Sequence, residues 1–266
     1  MFNKILMING VPRSGTSWLG AITDSSRNVR YKFQPFYSWG FRETLSQTPS
    51  LSEMHRFFLD IYNTEDWYLD QINLKREGLY PVFSNKNDRP ETLAVKSVRR
   101  HYLLPQILKL HPDVKLACII RNPIECLCSW SKSKTMFSKG WDILSEWEFA
   151  QSINEFSPDQ YFGFNRWKEA NMMFLHLHRQ YPEKVHIINY KDLVSDCRKQ
   201  TEILFQFAGI KFESQTDEFI SASQQTNKSG EYSVYKSGAR TTILPEQITN
   251  RIREQLNGTI LEKYVD

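Results

Sequence analysis

Five short runs of apolar, largely β-branched residues punctuate the chain: Lys4 to Asn9, Val29 to Phe33, Leu93 to Lys96, Val114 to Ile120 and Val185 to Asn189. Their apolar positions are nearly continuous rather than alternating, which is the pattern of strands covered on both faces. Between them, apolar residues recur at helical spacing, most clearly from Thr16 to Asp24, Leu103 to Leu110, Trp167 to Gln180 and Cys197 to Ala208. Gly209 follows the last of these, where a left-handed residue stops a helix, and the apolar Ile210 lies just beyond it. Strand runs separated by helical spacers predict an α/β fold, a central parallel β-sheet flanked by helices. A chain of 266 residues suits a single domain over 1–266, with no internal repeat.

Two regions fit that pattern poorly. Residues 31–89 carry Phe33, Phe36, Tyr37, Trp39, Phe41, Phe57, Phe58, Tyr62, Trp67 and Tyr68, and residues 131–164 carry Trp141, Trp147, Phe149, Tyr161 and Phe162. Aromatics combine apolar area with defined faces, so both regions are candidate helical walls of an acceptor pocket. Singly, each is also an ordinary core residue.

The first strand runs directly into Gly10-Val11-Pro12-Arg13-Ser14-Gly15-Thr16-Ser17-Trp18. A Gly-framed loop opening a helix presents backbone N–H groups and the helix dipole to an anion. Gly10 and Gly15 have the spacing of the nucleotide-binding motif G-x-x-x-x-G-K-[ST], but Thr16 stands in the Lys position. The ammonium that gathers a triphosphate is therefore missing, and the cation has moved to Arg13. A second strand-to-helix junction follows at Arg121-Asn122-Pro123, with Ser129 about two turns further on. Pro123 fits the first helical turn, a guanidinium at a strand end forks onto phosphate, and ligands of open α/β sheets bind at that edge. Two anion sites on one edge imply a ligand with two separated anionic groups.

Charge and cysteine usage narrow the class further. The chain has 34 basic and 30 acidic side chains, a net +4, without the concentrated basic stripe of a nucleic-acid partner. No apolar run reaches the roughly eighteen residues of a membrane span, and the apolar start is too short for a signal peptide, so the expectation is a soluble, cytoplasmic protein. Cys118, Cys126, Cys128 and Cys197 form no C-x-x-C pair and no metal-ligand cluster, and read as reduced structural thiols. The sequons at Asn227 and Asn257 carry weight only on a secretory route.

Taken together, the two junctions resemble those of the sulfotransferases that use 3′-phosphoadenosine 5′-phosphosulfate (PAPS). The family's loop P-[KR]-S-G-T-[ST]-W is matched by Pro12 to Trp18, and its Arg before Asn/Asp-Pro, with Ser eight positions after that Arg, by Arg121 and Ser129. Asn189 to Leu193 and Leu204 to Ile210 look like two later family segments, so the likeness runs from about Lys4 to Phe212. Arg13 and Gln34-Pro35-Phe36 look nearer the glycan and bacterial branch than the phenol and steroid branch.

The resemblance implies a P-loop-like phosphosulfate-binding loop with PAPS as donor and PAP as product. Arg13, Ser14, Gly15, Thr16 and Ser17 would hold the 5′-phosphosulfate, and Arg121 and Ser129 the 3′-phosphate. Trp18 would contact the adenine or pin its helix to the sheet, and Tyr190 would border the adenine or fill the core. Lys236 to Arg240 loosely matches the family's C-terminal basic loop, with a solvated charged loop as the alternative.

Sulfuryl transfer needs an in-line acceptor oxygen and positioned cations, here Arg13 and Lys96, with no metal required. One group departs from the family: Val98 stands where the phenol and steroid branch has its catalytic His. His101, Glu43, Glu53 and His55 are the candidates left for a base, and Gln34 offers an amide where the glycan branch has a carboxylate. The implied activity is transfer to a hydroxyl of a carbohydrate, glycolipid or glycoside, with a hydroxylated aromatic or lipid as the variant. The other classes are a P-loop nucleotide or small-molecule kinase, which Thr16 disfavours, and a non-catalytic binder of PAP or PAPS.

Overall fold

The computed structural model describes residues 2–132, 142–224 and 244–265. The five apolar runs form five parallel strands, β1 (Lys4–Asn9), β2 (Val29–Phe33), β3 (Thr92–Ser97), β4 (Val114–Ile120) and β5 (Val185–Asn189), in the order β2-β3-β1-β4-β5. β3 is longer than Leu93 to Lys96 because the buried Thr92 and Ser97 also pair, opposite Lys4 and Asn9. Asn9 faces Ser97 on one side and Cys118 on the other, so the segments after β1, β3 and β4 leave from one edge.

Among the described residues, twelve helices accompany the sheet: α1 (Thr16–Asp24), α2 (Leu51–Asn63), α3 (Ile72–Arg76), α4 (Leu104–Leu110), α5 (Pro123–Ser131), α6 (Ile143–Glu146), α7 (Gln151–Asn154), α8 (Phe164–Gln180), α9 (Tyr190–Ser195), α10 (Cys197–Ala208), α11 (Ser214–Gln224) and α12 (Glu246–Leu256). The two-residue period of a strand sorts its side chains into two cores. Ile5, Met7, Leu93, Val95, Leu116, Cys118 and Ile120 pack with residues of α2, α4, α5, α8 and α12. Leu6, Ile8, Ala94, Ala117 and Ile119 pack with α1, α9, α10 and α11. Both faces are covered, which is why the runs read as continuously apolar.

Local signals place the helix ends. Gly209 takes the left-handed conformation (φ 67°), and Ile210 N–H donates back to Phe205 O at 2.8 Å. Asn122 caps α5 by accepting from Ile124 N–H at 2.9 Å, with Pro123 in the first turn. α4 starts one residue later than expected because His101–Leu103 winds as a tighter 3₁₀ turn, and α8 starts three residues earlier, at Phe164 after Gly163. Most aromatics of the two irregular regions are core: Phe36, Phe41, Phe57, Phe58, Tyr62, Trp147, Tyr161 and Phe162 are buried. Trp39, Trp67 and Phe149 are exposed.

The strand order positions the site. From β1 the chain moves outward to β2, whereas from β4 it moves the opposite way to β5, so the connections part between β1 and β4. At such a switch point the strand ends splay and leave a crevice. The Gly10 to Gly15 loop and Arg121 flank it.

Candidate functional site

Four consecutive carbonyls of the β1–α1 loop are held by side chains, one from the loop itself and three from elsewhere. His101 Nε2 donates to Gly10 O at 3.2 Å, Ser14 Oγ to Val11 O at 2.7 Å, Trp130 Nε1 to Pro12 O at 2.7 Å and an Arg121 Nη to Arg13 O at 2.9 Å. In a planar trans peptide the N–H points opposite its carbonyl, so these anchors also fix the directions of the Val11 and Arg13 N–H groups. Arg13 itself lies in the left-handed region at φ 70°, as does Gly15 at φ 99°. A Cβ on Gly15 would stand 2.6 Å from Tyr190 Cε2, and one on Gly10 would stand 2.5 Å from Ser14 Oγ. The loop is thus closed tightly around a backbone cradle that only glycine permits at those two points.

Arg13, the exposed cation of the loop, donates from Nε to Ser129 Oγ on α5 at 2.9 Å. Arg121 lies alongside. Its Nε donates to Glu125 at 2.9 Å and its guanidinium stacks on the Tyr190 ring at 4.3 Å. Three contacts hold that guanidinium, and the face of Tyr190 is its floor. Arg13, Ser129, Arg121 and Tyr190 are therefore assembled in one place. Thr16 is buried and Ser17 half-buried at the start of α1. Trp18 is buried, and its Nε1 donates to Ser223 Oγ at 3.0 Å, which ties α1 to α11.

Lys96 ends β3 with only 3% of its surface exposed. Its Nζ stands 4.5 Å from the centre of the Phe33 ring. Burial and, second, the Arg13 charge lower its pKa from the usual 10.5 to about 7. His101 is also sealed, between Tyr161 at 4.5 Å and Phe174 at 5.1 Å. Its burial outweighs the Gly10 bond and lowers its pKa to about 3, so the ring is neutral with its Nδ1 buried and unpartnered.

The other candidate bases are scattered. Glu43 is exposed and paired with Arg42 at 3.8 Å. Glu53 accepts from both Ser50 N–H and Ser50 Oγ at 2.8 Å, closing the capping box of α2. The His55 ring meets that of His111 edge to face at 4.7 Å, and His111 precedes β4. That places His55 at the amino edge of the sheet, roughly 20 Å of strand away from the loop edge. Val98 is buried. Gln34 follows β2 at φ 47°, with its N–H donating to Lys96 O at 2.9 Å and its Oε1 buried without a partner.

One constellation was not anticipated. Asp159 accepts from Arg99 at 3.0 Å and from Tyr102 at 2.9 Å, and Arg99 also donates to Phe36 O at 3.1 Å. Arg100 donates to Arg42 O at 3.0 Å and Leu45 O at 3.1 Å, and Tyr37 to Gln160 at 3.0 Å. These bonds stitch the segments after β2 and β3 to each other and to Asp159 and Gln160. The paired arginines after β3 were the available signal, whereas Asp159 sits in a stretch without periodicity. Glu125 was readable from its i,i+4 spacing to Arg121.

Among the described residues no group of three or more side chains is arranged to hold a metal, and no helix is long and apolar enough to cross a membrane. The four cysteines form no disulfide, and burial pushes the Cys126 thiol up to about 12. Lys236 and Arg240 lie outside the described residues.

Comparison with known proteins converges on one family. Residues 3–261 match the model of the sulfotransferase domain. No curated protein sequence matches the chain. Among solved structures, the sulfotransferase domain from the curacin biosynthetic pathway aligns at 17% identity and TM-score 0.52, covering 96% of this chain and 98% of that one. The sulfotransferase domain of the Synechococcus PCC 7002 olefin synthase aligns at 18% identity and TM-score 0.56, covering 96% and 94%. A retinol dehydratase solved with retinol and PAP aligns at 14% identity and TM-score 0.56, covering 98% and 83%. With its family motifs gathered at the switch point and the family model spanning almost its whole length, this chain belongs to the sulfotransferase domain family.

Proposed function

We propose that the protein transfers a sulfuryl group from PAPS to a hydroxyl of a carbohydrate, glycolipid or glycoside. The carrying observation is the meeting of Arg13, Ser129 and Arg121 at the switch point, two cationic groups and a hydroxyl on adjoining strand ends. The cradle fits the donor: its two glycine positions exclude a side chain, its carbonyls are turned away, and its cation is Arg13 inside the loop, with Thr16 where a kinase loop carries Lys. Retinol dehydratase and a mouse sulfotransferase of this fold were both solved with PAP, which supports the nucleotide assignment.

When bound, PAPS supplies the sulfuryl group and a phosphate leaving group. Arg121, on its Tyr190 floor, and Ser129 hold the 3′-phosphate, while the Arg13 to Ser17 loop holds the 5′ end. Arg13 stabilises the charge that develops on the leaving oxygen. His101 serves as the anchor of Gly10 rather than as a base, because its burial removes it from the acceptor, its Nε2 is committed to Gly10 O and a pKa of about 3 makes it a weak proton acceptor. For the acceptor, Gln34 offers a hydrogen-bond acceptor to a hydroxyl. Trp39, 81% exposed with the Arg42 guanidinium 3.9 Å over its ring, offers a flat platform for a sugar face beside the same edge.

The test has two stages. Thermal shifts with PAP, AMP and ATP plus magnesium come first; a ligand at a hundredfold excess over its dissociation constant adds about 2.7 kcal/mol. Stabilisation by PAP, with little by AMP or ATP, supports the donor site, and stabilisation by ATP and magnesium alone overturns it. Labelled PAPS offered to glycans, glycolipids and phenols then reads the acceptor class, and labelling confined to phenols rejects the carbohydrate assignment.

A further inference from the structure

Asp159 lies just before α8 in the chain, yet its carboxylate meets the segment that follows β3. Oδ2 accepts from Arg99 Nη2 at 3.0 Å, and Oδ1 accepts from the Tyr102 hydroxyl at 2.9 Å with Arg100 Nε 3.6 Å away. Its main-chain carbonyl accepts from Arg100 N–H at 2.9 Å. Both arginines turn their remaining nitrogens to the segment after β2. Arg99 donates to Phe36 O at 3.1 Å and lies 4.6 Å over the Tyr37 ring, while Arg100 donates to Arg42 O at 3.0 Å and to Leu45 O at 3.1 Å. Three main-chain carbonyls between residues 36 and 45 are therefore held by two guanidiniums, and a planar guanidinium is aimed by whatever grips its other side. Here that grip is one carboxylate.

The held segment leads out of Gln34, which turns the chain at φ 47°, and carries the exposed Trp39. Arg100 is buried and Arg99 half-buried. Without Asp159 both charges would lose their counter-ion at depth and would have to leave the carbonyls to regain water. The donor loop takes its anchors from His101, Ser14, Trp130 and Arg121 instead.

Resting on the reading above, in which Gln34 and Trp39 receive the acceptor, we propose that Asp159 is a positioning residue for acceptor recognition. Acting through Arg99 and Arg100, it fixes the 36–45 segment, and with it the places of the Gln34 amide and the Trp39 platform. Its effect falls on acceptor affinity, while donor binding is left to the β1 and β4 strand ends.

The test uses Asp159→Asn, Asp159→Glu and, as an independent cut in the same tie, Arg99→Met, with three readouts. The first is ¹⁹F NMR of protein labelled with 5-fluorotryptophan, the Trp39 signal being the one absent from Trp39→Phe. It is expected to shift or broaden in Asp159→Asn and Arg99→Met while the remaining tryptophan signals hold their positions. The second is the PAP dissociation constant, expected within about twofold of the original throughout. The third is transfer from labelled PAPS to octyl β-D-glucoside. The glucoside KM is expected to rise at least tenfold in Asp159→Asn and Arg99→Met with kcat within about threefold, and to return to within about threefold of the original in Asp159→Glu, which restores the charge.

A Trp39 signal unmoved in Asp159→Asn and Arg99→Met overturns the proposal. So does a glucoside KM raised less than threefold in those variants. Parallel losses of PAP affinity and kcat overturn it as well, since they mark general loosening of the fold. If the original protein binds PAP yet transfers nothing to the glucoside, the carbohydrate reading fails on its own, and the Trp39 signal still upholds or overturns the hold of Asp159 on the segment.

Discussion

The Nε of Arg13 donates to the hydroxyl of Ser129 at 2.9 Å, a bond that joins the β1–α1 loop to α5 across 116 residues of chain. Each partner thereby satisfies the other, and a nucleotide spanning both sites must exchange this bond for bonds of its own. If Ser129 donates to the 3′-phosphate as proposed, replacing it by Ala is expected to weaken PAP roughly tenfold, about 1.4 kcal/mol. Calorimetric titration with PAP reads the change, and an unaltered affinity removes Ser129 from the site.

Arg121→Ala is expected to cost PAP binding about 1.5–3 kcal/mol, the range of a charge-assisted contact. AMP, which lacks the 3′-phosphate, should bind variant and original alike. Arg121→Lys should not restore PAP, since an ammonium loses the planar stack on Tyr190 and the fork to Glu125 and Arg13 O. Equal losses for PAP and AMP would place Arg121 elsewhere in the nucleotide site.

Arg13→Ala separates binding from transfer. Turnover of labelled PAPS should drop much further than PAP affinity, because charge on the leaving oxygen develops during reaction. Parallel losses in the two quantities would limit Arg13 to ground-state binding.

Gly15→Ala combines a left-handed backbone at φ 99° with a Cβ 2.6 Å from the Tyr190 ring. Destabilisation of about 1–3 kcal/mol is expected from the backbone alone, together with loss of PAP binding as Tyr190 is displaced. A variant with unchanged Tm and affinity would mean that the loop tolerates a side chain at its floor.

The buried His101 makes stability depend on pH with a defined sign. Its folded-state pKa of about 3 lies below the usual 6.5, so between these values the unfolded chain binds the extra proton. The contribution is complete above pH 6.5 and is lost as pH falls toward 3, with a slope of at most about 1.4 kcal/mol per unit. Urea unfolding at about pH 7, 6 and 5 reads that slope, which His101→Phe should flatten.

Much of the scaffold was legible because its signals are local. Gly209 as a helix stop, Pro123 in a first turn and five continuous apolar runs each express a backbone requirement that neighbours in sequence satisfy. That Arg13, Arg121 and Ser129 meet at one edge was readable from Pro12 to Trp18 and from Arg121 to Ser129 for the same reason, each lying just after a strand. The direction of His101 was not, since it depends on Tyr161 and Phe174, which are far along the chain. Nor was the burial of most aromatics in the irregular regions, because the sequence shows an aromatic but not which side of it is covered. The bonds from Arg99 and Arg100 to Asp159, Phe36, Arg42 and Leu45 cross between segments with no shared period.

The strand order carries a consequence for how such a catalyst changes partners. β1 and β4 stand side by side and bear the proposed anion-holding groups, while β2 lies at the sheet edge, two strands from β1 beyond β3, and feeds the aromatic stretch. Exchanging residues 34–89 between relatives would leave the β1–β4 crevice with the same strands, the same Arg13–Ser129 bond and the same Tyr190 floor. Such chimeras should inherit substrate choice from the graft and nucleotide choice from the host, making the sheet a socket into which acceptor recognition can be plugged.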